Sequence, residues 1–242
     1  MPKNYKRNCN FCGQYYEGQN EFFCHRKCFY NSKSGYLDTN LTISSELHQI
    51  LEGVVFSDGN LRKQSSAYLR FAQSLTKMEY VVWLAQKFGV SQNIKTRTVS
   101  LKGNNYPLIE FSTRSNELFT SYYDRWYPNG KKVIPSDFKI TPISLYHLYI
   151  GDGCLDLLSN SPRYRIRIAT CCFDKVNIEK VFLSQLDALG IRCTFEGKNV
   201  VVISRQDSLK RFFDFVQPND LACFDYKFRC LKDTKWLNRF KS

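Results

Sequence analysis

The 242-residue chain lacks any apolar run that approaches the roughly 20 residues needed to cross a bilayer. Its first ten residues, MPKNYKRNCN, also lack the apolar segment that a secretory signal requires. We therefore expect a soluble, intracellular protein of the cytoplasm or an organelle matrix. The hydrophobic fraction of 43% is ordinary for a folded protein and sufficient for one large domain or two small ones.

Acidic residues are scarce relative to basic ones. The chain has 22 Asp and Glu against 35 Lys and Arg, which leaves a formal net charge of +13. Such an excess favours a polyanionic partner, because each neutralised phosphate releases condensed counterions. A merely basic soluble protein is the alternative that charge alone leaves open.

The ten cysteines fall into two groups. Six are scattered among apolar residues, as is typical of small buried side chains in intracellular proteins: Cys154, Cys171, Cys172, Cys193, Cys223 and Cys230. The other four form two close pairs near the start of the chain.

Cys9-x2-Cys12 and Cys24-x3-Cys28 have the spacing by which four thiolates surround a tetrahedral Zn²⁺. Chance pairs or redox-active thiols are the alternatives, and His25 could replace one sulfur. We expect a structural zinc module within residues 1–38, with SGYLDTNLT (34–42) as its linker.

Two apolar segments each end at an acidic residue followed by glycine. ILEGVVFSDGNLR (50–62) ends at Asp58, and SLYHLYIGDGCLD (144–156) ends at Asp152. Each acid is followed by a strand, YLRFAQ (68–73) or YRIRIAT (164–170), and then by a helix. This is an internal repeat.

The segments after these strands also match. TKMEYVVWLAQKFG opens with Thr76-x-x-Glu79, a predicted capping box, and closes at Gly89, whereas DKVNIEKVFLSQLDALG opens at Asp174 and closes at Gly190. Two strands and a helix follow in each half: strands 94–102, 106–113, 191–196 and 199–205, and helices 115–127 and 207–216. The sequence predicts an α+β fold of two αββαββα halves, residues 39–138 and 139–242.

The strands that follow the acids alternate between apolar and basic residues. Leu69 and Phe71 share one face and Arg70 the other, and Ile166 and Ile168 alternate with arginines in the same way. Period-two alternation indicates half-buried strands with a basic outer face. A solvated basic face without a partner is the alternative.

The two acids predict a metal site if the apolar helices pack as a pseudo-twofold pair. Asp58 and Asp152 would then lie side by side, and their like charges would repel unless a cation lay between them. Oxygen ligands favour Mg²⁺. The alternative is that each Asp-Gly is only a helix-ending turn.

With these features the chain resembles the LAGLIDADG homing endonucleases of the single-chain, two-motif type. LEGVVFSDG (51–59) fits the motif, and LYHLYIGDG (145–153) fits more loosely, with His147 where glycine is usual. The similarity covers about residues 45–242. It implies two saddle-shaped antiparallel sheets that lie in the DNA major grooves on either side of a metal cluster.

The resemblance also implies roles for particular residues. Asp58 and Asp152 would bind Mg²⁺ or Mn²⁺ with the backbone carbonyls of Ser57 and Gly151. NGKKVIP (129–135) places a catalytic-centre lysine at Lys132, and DYKF (225–228) places the second at Lys227, although either could be a simple surface lysine. Gln73 resembles the water-organising glutamine, and Thr170 occupies its place in the second half. The expected DNA-binding residues lie on or beside the predicted strands: Ser66, Tyr68, Arg70, Arg97, Arg163, Arg165, Arg167 and Arg205.

The function expected from these residues is metal-dependent hydrolysis of both strands of a long, asymmetric double-stranded DNA target by a monomer. The resemblance adds a staggered cut with 3′ overhangs. The alternative is a protein that binds without cleaving, either a DNA-binding protein or a maturase that assists the splicing of an intron RNA. Both acids and both lysines are present, which argues against a dead site because binding alone does not need them.

Overall fold

The computed structural model of the chain describes residues 5–8, 14–18, 43–158, 163–216 and 221–240. An N-terminal hairpin pairs strand β1 (Tyr5–Asn8) with strand β2 (Tyr15–Gly18) in antiparallel register. Two repeats of a longer pattern follow it.

The first repeat contains three helices and four strands. Its elements are α1 (Ser45–Phe56), β3 (Asn60–Lys63), β4 (Ala67–Ser74), α2 (Met78–Lys87), β5 (Lys95–Leu101), β6 (Asn104–Ser112) and α3 (Glu117–Trp126). Short 3₁₀ turns lie at Leu75–Lys77, Ser91–Asn93 and Pro128–Gly130.

The second repeat has the same order of elements with a longer C-terminal end. Its elements are α4 (Pro142–Asp152), β7 (Gly153–Leu157), β8 (Tyr164–Ala169), α5 (Lys175–Asn177), a π-helical turn (Ile178–Leu183), α6 (Ser184–Ala188), β9 (Thr194–Glu196), β10 (Val200–Ile203), α7 (Gln206–Val216) and α8 (Thr234–Leu237). Further 3₁₀ turns lie at Ala222–Lys227, Arg229–Lys232 and Asn238–Phe240.

The strands form two four-stranded antiparallel sheets with the same topology. The orders are β3-β4-β6-β5 and β7-β8-β10-β9. The register is also equivalent, because Asn60 pairs with Arg70 in the first sheet and Cys154 pairs with Arg167 in the second. The predicted α+β fold with a duplicated αββαββα pattern is confirmed.

One face of each sheet is buried against the helices. Leu69 and Phe71 of β4 and Ile166 and Ile168 of β8 are fully buried, and Arg70 between the first two is partly exposed. The predicted period-two alternation is confirmed. It leaves a polar, basic face on the outer side of each sheet.

The helix ends agree with the sequence in three places and differ in one. Gly89 and Gly190 have φ values of +64° and +73°, the left-handed conformation that glycine adopts after a helix. Asp174 accepts hydrogen bonds from the backbone N–H groups of Val176 and Asn177. The predicted Thr76-x-x-Glu79 capping box is wrong, because Ser74 is the capping residue.

Ser74, not Thr76, caps the turn before α2, and its hydroxyl accepts from the Thr76 N–H. Glu79 instead accepts a hydrogen bond from the Cys223 N–H at 2.9 Å. A contact between residues 144 positions apart therefore replaces the local one. Sequence spacing alone cannot anticipate such a partner.

The strand predicted over 199–205 is shorter than expected. β10 ends at Ile203, so Arg205 lies outside the strand and pairs with Asp207 at 3.3 Å. The assignment of Arg205 to a strand is wrong, because the strand ends two residues earlier and helix α7 begins at Gln206. Within the described residues, no helix is long and apolar enough to span a membrane.

Candidate active site

The site is built where helices α1 and α4 cross. A Cβ atom added to Gly53 would lie 2.3 Å from the backbone oxygen of Ser144 and 2.8 Å from Cβ of His147. Only glycine permits so close an approach. The two helices are therefore in direct backbone contact at Gly53.

Both helices begin with well-formed caps. Ser44 accepts from the Leu47 N–H at the start of α1. Thr141 and Ser144 form a reciprocal capping box at the start of α4, with Pro142 in the first turn. Their buried apolar side chains then fix which faces meet.

The C-terminal ends of the two helices bring Asp58 and Asp152 to one place. A Cβ atom on Gly151 would lie 2.6 Å from Oγ of Ser57 and 2.9 Å from Oδ2 of Asp58. Since Asp152 directly follows Gly151, the two acids are neighbours across the helix crossing. Small residues before both acids allow this approach.

The environment of the pair favours the protonated carboxyl groups. Burial, and then the charge of Asp58, raises the pKa of Asp152 to about 7. Burial also raises the pKa of Asp58, against the opposing effects of Lys227, a hydrogen bond from Gln73 and Lys132. Two carboxylates in one place resist being charged together, and a bound cation relieves this repulsion.

Lys132 approaches the end of α1. Its Nζ donates to the backbone oxygen of Ser57 at 3.1 Å and of Phe56 at 3.4 Å. Burial lowers its pKa, which the nearby Cys172 and both acids oppose. Its positive charge thus lies at the negative end of the helix dipole.

Lys227 has the same relation to α4. Its Nζ donates to the backbone oxygens of Ile150 at 2.6 Å and Gly153 at 2.7 Å, and more distantly to Gly151 at 3.3 Å. The residue is only 5% exposed, and burial lowers its pKa to about 8. The two lysines are placed alike in the two halves, and each contacts the carbonyls around one acid.

The two halves differ beside the acids. The side-chain amide of Gln73 donates to Oδ2 of Asp58. Thr170, its equivalent by register, is fully buried and its hydroxyl donates to the backbone oxygen of Asn199. The structure therefore brings Gln73 to the acid pair and turns Thr170 away from it.

The donor set fits a hard divalent cation. The available groups are the carboxylates of Asp58 and Asp152 and the backbone oxygens of Ser57 and Gly151, all of which are oxygen donors. In the part of the chain that the structure describes, no three His, Cys, Asp or Glu side chains cluster as metal ligands, so the backbone oxygens would have to complete the donor set of the two carboxylates. The proposed zinc ligands Cys9, Cys12, Cys24 and Cys28 lie outside the described residues.

The expected DNA-binding arginines lie on the outer faces of the two sheets, with exceptions at the strand ends. Arg70 and Arg97 lie in β4 and β5, and Arg165 and Arg167 lie in β8. Arg163 is exposed just before β8. Tyr68 of β4 is partly exposed on the same face as Arg70, and Ser66 is partly exposed in the bend just before the strand.

The sequence motifs do not predict two features of this region. The first is the environment of His147, whose ring contacts those of both Tyr80 and Trp83 and shares a 2.8 Å hydrogen bond with the Tyr80 hydroxyl. Burial lowers the pKa of His147 to about 3, so it is neutral at physiological pH. An aromatic pocket on α2 thus accommodates the residue that departs from the motif.

The second feature is a pair of acids beneath the arginines. Glu110 contacts Arg70 and Arg97, and Asp156 contacts Arg165 and Arg167. Glu110 follows Ile109 in strand alternation, which is the one signal that could have placed it on the basic face.

Comparisons with known proteins agree with this architecture. The sequence profile of the LAGLIDADG DNA endonuclease family matches residues 48–212. An uncharacterized protein of Methanocaldococcus jannaschii is 27% identical over 203 residues, which are 81% of this chain and 78% of that protein. The cytochrome b mRNA maturase bI2 of Debaryomyces hansenii is 26% identical over 132 residues, half of each chain.

Among solved structures, the homing endonuclease I-WcaI bound to its DNA recognition sequence has the same fold. The TM-score is 0.71, and the match covers 86% of this chain and 94% of that one at 18% identity. At this identity the likeness concerns the fold alone.

Proposed function

The chain belongs to the LAGLIDADG DNA endonuclease family, and we propose that it is a metal-dependent homing endonuclease that hydrolyses both strands of a long, asymmetric double-stranded DNA target. The observation that carries this proposal is the convergence of Asp58 and Asp152 at the ends of two crossing helices. A phosphodiester hydrolase must stabilise the negative charge that develops at the scissile phosphates. A hard divalent cation can do so, and paired carboxylates supply ligands for that cation. Each half also has one sheet with arginines on its outer face, so the chain offers one basic sheet surface for each half of a DNA target.

We assign the acids and the adjoining carbonyls to metal binding. Asp58 and Asp152, with the backbone oxygens of Ser57 and Gly151, would hold Mg²⁺ or Mn²⁺. A cation held by these residues would supply the Lewis acidity that activates water and stabilises charge on the leaving 3′ oxygen. The carboxylate ligands must be deprotonated, so metal binding would release the proton that the raised pKa of Asp152 retains.

The lysines are proposed to keep the metal-binding carbonyls in place and to add positive charge near the phosphates. The 2.6–3.4 Å contacts of Lys132 and Lys227 with the helix-end carbonyls support this role. A buried ammonium group stabilises developing negative charge more strongly than one in water. Gln73 would orient water in the first half, and no equivalent group from Thr170 would do so in the second.

We propose that a monomer carries both half-sites, because each half of this chain contributes one acid, one lysine and one sheet. The regions would be a zinc-binding module and linker (1–38), a first half (39–138) and a second half (139–242). A cut across the minor groove between two sheets would leave staggered 3′ overhangs. The direction and length of the stagger are readily determined by sequencing the cut ends.

The test is cleavage of a selected DNA site with two different cations. The full chain is first used with Ca²⁺ to enrich bound sites from a randomised duplex library, and one enriched site is placed in a plasmid. We expect binding with either cation and linear product only with Mg²⁺, since Ca²⁺ is larger and less demanding in geometry. A chain that binds the plasmid but never nicks it with Mg²⁺ would be a binding protein, not a nuclease.

A second candidate function is RNA binding, which the similarity to an mRNA maturase favours. The same basic sheets could contact the phosphates of a structured intron RNA. Competition distinguishes the two functions: a large excess of structured RNA should not displace the selected duplex from a DNA endonuclease. Preferential retention of the RNA would favour the maturase function.

We also propose that Cys9, Cys12, Cys24 and Cys28 bind a structural Zn²⁺. The support is their spacing and the β1–β2 hairpin, whose strands lie immediately before Cys9 and shortly after Cys12 in sequence. Zinc content measured on the purified full chain should fall on substitution of Cys9 by Ser. Equal zinc content in the variant would contradict the assignment.

A further inference from the structure

Glu110 is a buried carboxylate on the outer face of the first sheet. Its neighbours in β6, Ile109 and Phe111, are buried in the core, so Glu110 points to the opposite face. Even so, the residue is only 2% exposed. Basic side chains on adjacent strands lie over it.

The cover is formed by two arginines and a lysine. Glu110 Oε2 lies 2.6 Å from Arg70 Nη2 and 2.9 Å from Arg97 Nε, and its Oε1 lies 3.4 Å from Lys95 Nζ. Burial alone would raise the pKa of Glu110, but the hydrogen bonds and charges of both arginines lower it to about 2. The carboxylate is therefore charged at any physiological pH and holds two guanidinium groups together.

Asp156 has the same relation to two arginines of the second sheet. Its Oδ2 lies 3.1 Å from Arg165 Nε and 2.7 Å from Arg167 Nε. A cavity of about 520 Å³ opens beside this group, and Arg229 is also among its lining residues. The outer surface of the second sheet thus combines held arginines with space for a ligand.

The arginines remain available although they are paired. Their side chains are 27–43% exposed, against 2% for Glu110 and 22% for Asp156. A guanidinium has five donors in a rigid fork, so donors for another acceptor remain on each arginine, including Arg165, whose Nη1 also contacts Glu196 at 3.1 Å. Guanine offers O6 and N7 in the major groove, the commonest specific partners of arginine.

We propose that Glu110 and Asp156 are positioning residues for base recognition, each holding two arginines in the orientation that contacts guanine edges in one half of the target. This inference rests on the proposed function, since it concerns how the two sheets select DNA. An unrestrained arginine loses rotamer freedom when it binds, and a held one has already lost it. Glu110 is too covered by arginine to recognise a base by itself, and both arginines of the second sheet already contact the carboxylate of Asp156.

The two halves hold their arginines from different sides. Arg70 and Arg167 occupy equivalent positions in β4 and β8. Glu110 lies on β6, at one side of β4, whereas Asp156 lies on β7, at the opposite side of β8. Equivalent arginines are therefore oriented differently, which is consistent with an asymmetric target.

If Glu110 and Asp156 acted only through their negative charge, substituting them would have a different outcome from the loss of positioning. Removing a negative charge from a DNA-facing surface should strengthen binding to any DNA, because the net positive charge rises. Loss of positioning should instead weaken base preference. The ratio of specific to non-specific affinity therefore separates the two effects.

The experiment compares Glu110→Gln, Asp156→Asn and the wild type by selection from a randomised duplex library with Ca²⁺, using the full chain. The matched control is Asp214→Asn, which neutralises an exposed acid paired with Lys210 on α7. Each half-site preference for guanine should fall by roughly fivefold to a hundredfold, the range for losing a good arginine–guanine pair. Glu110→Gln should affect one half-site, Asp156→Asn the other, and Asp214→Asn neither.

Unchanged preferences in both variants, or an equal loss at every position of the site, would overturn the inference. Melting curves of each variant identify a loss that comes from unfolding, and Asp156→Asn carries the test where Glu110→Gln fails to fold. A wild type that enriches no DNA sequence would overturn the proposed function and the inference with it. A wild type that enriches a site while both variants behave like the control would overturn the inference alone.

Discussion

Substitution of Gly53 by Ala would test the helix crossing that brings the acids together. The new Cβ would lie 2.3 Å from the Ser144 backbone oxygen and 2.8 Å from His147 Cβ. Ordinary contacts of these types are about 3.3–4.0 Å, so the helices must separate by about 1 Å. The oxygen belongs to the backbone and cannot rotate away from the methyl group.

Two effects of known size follow from this separation. Overpacking of a close contact costs about 1–3 kcal/mol, which lowers the melting temperature by roughly 2–4 °C per kcal/mol in a chain of this size. A displacement of about 1 Å at reacting groups lowers the rate by about 100-fold. We therefore expect Gly53→Ala to reduce plasmid cleavage by about 100-fold while it lowers stability only moderately.

The matched control is Gly89→Ala, at the end of α2. Its φ is +64° and no described atom lies within 4 Å of an added Cβ, so the substitution introduces backbone strain of about 1–2 kcal/mol without displacing a neighbour. It should lower the melting temperature and leave the cleavage rate of the folded enzyme unchanged. Wild-type cleavage and stability in Gly53→Ala would refute the close crossing, and an equal loss of cleavage in the control would attribute the effect to stability.

Three further predictions concern the groups around the acids. With a metal chelator present, the wild type should lose stability relative to Asp152→Asn as pH rises from about 4 to 7, by at most about 4 kcal/mol. The reason is that the Asp152 carboxyl has a pKa of about 7 in the folded chain, so over this range the native state binds a proton that the unfolded state has released. A relative gain in calorimetric melting over the same range would contradict the raised pKa. Lys227→Met should lower the free energy of unfolding by about 2–4 kcal/mol in denaturant titrations, because several carbonyls at the end of α4 lose their donor. Substitution of the exposed Lys131 by Met should have little effect, and equal effects of the two substitutions would argue against the contact between Lys227 and the helix end. Gln73→Ala should slow the nicking of one strand of an end-labelled duplex, since only the first half has this side chain beside its acid. Thr170→Val should slow the nicking of neither strand, and the same strand preference in both variants would refute the asymmetry of the two half-sites.

The duplicated fold could be predicted from the sequence because its determinants are local. The Asp-Gly pairs, the alternation around Leu69 and Ile168, and the glycines after the long helices each depend on a few neighbouring residues. Because the same pattern occurs twice in the sequence, it also predicts that the two opening helices pack against each other. The contact at Gly53 follows from the same motif.

The details that could not be predicted depend on residues distant in sequence. Glu79 bonds a backbone group of residue 223 and not its own helix start. One partner of Glu110 is Arg70, 40 residues away on another strand, and periodicity does not specify such pairs. The family resemblance places Lys227 at the catalytic centre, but the carbonyls that it contacts, more than 70 residues earlier, are visible only in the folded chain.

The most direct measurement of the central claim compares Asp58→Asn and Asp152→Asn on a plasmid that carries the selected site. Both variants should bind the site in Ca²⁺ with an affinity close to that of the wild type, since the amide has almost the same shape and one less negative charge. With Mg²⁺, each should form linear product at least about 100-fold more slowly, the scale of losing one group that controls transition-state charge. Linear product at the wild-type rate from either variant would mean that the two adjoining acids are not the centre that cleaves DNA.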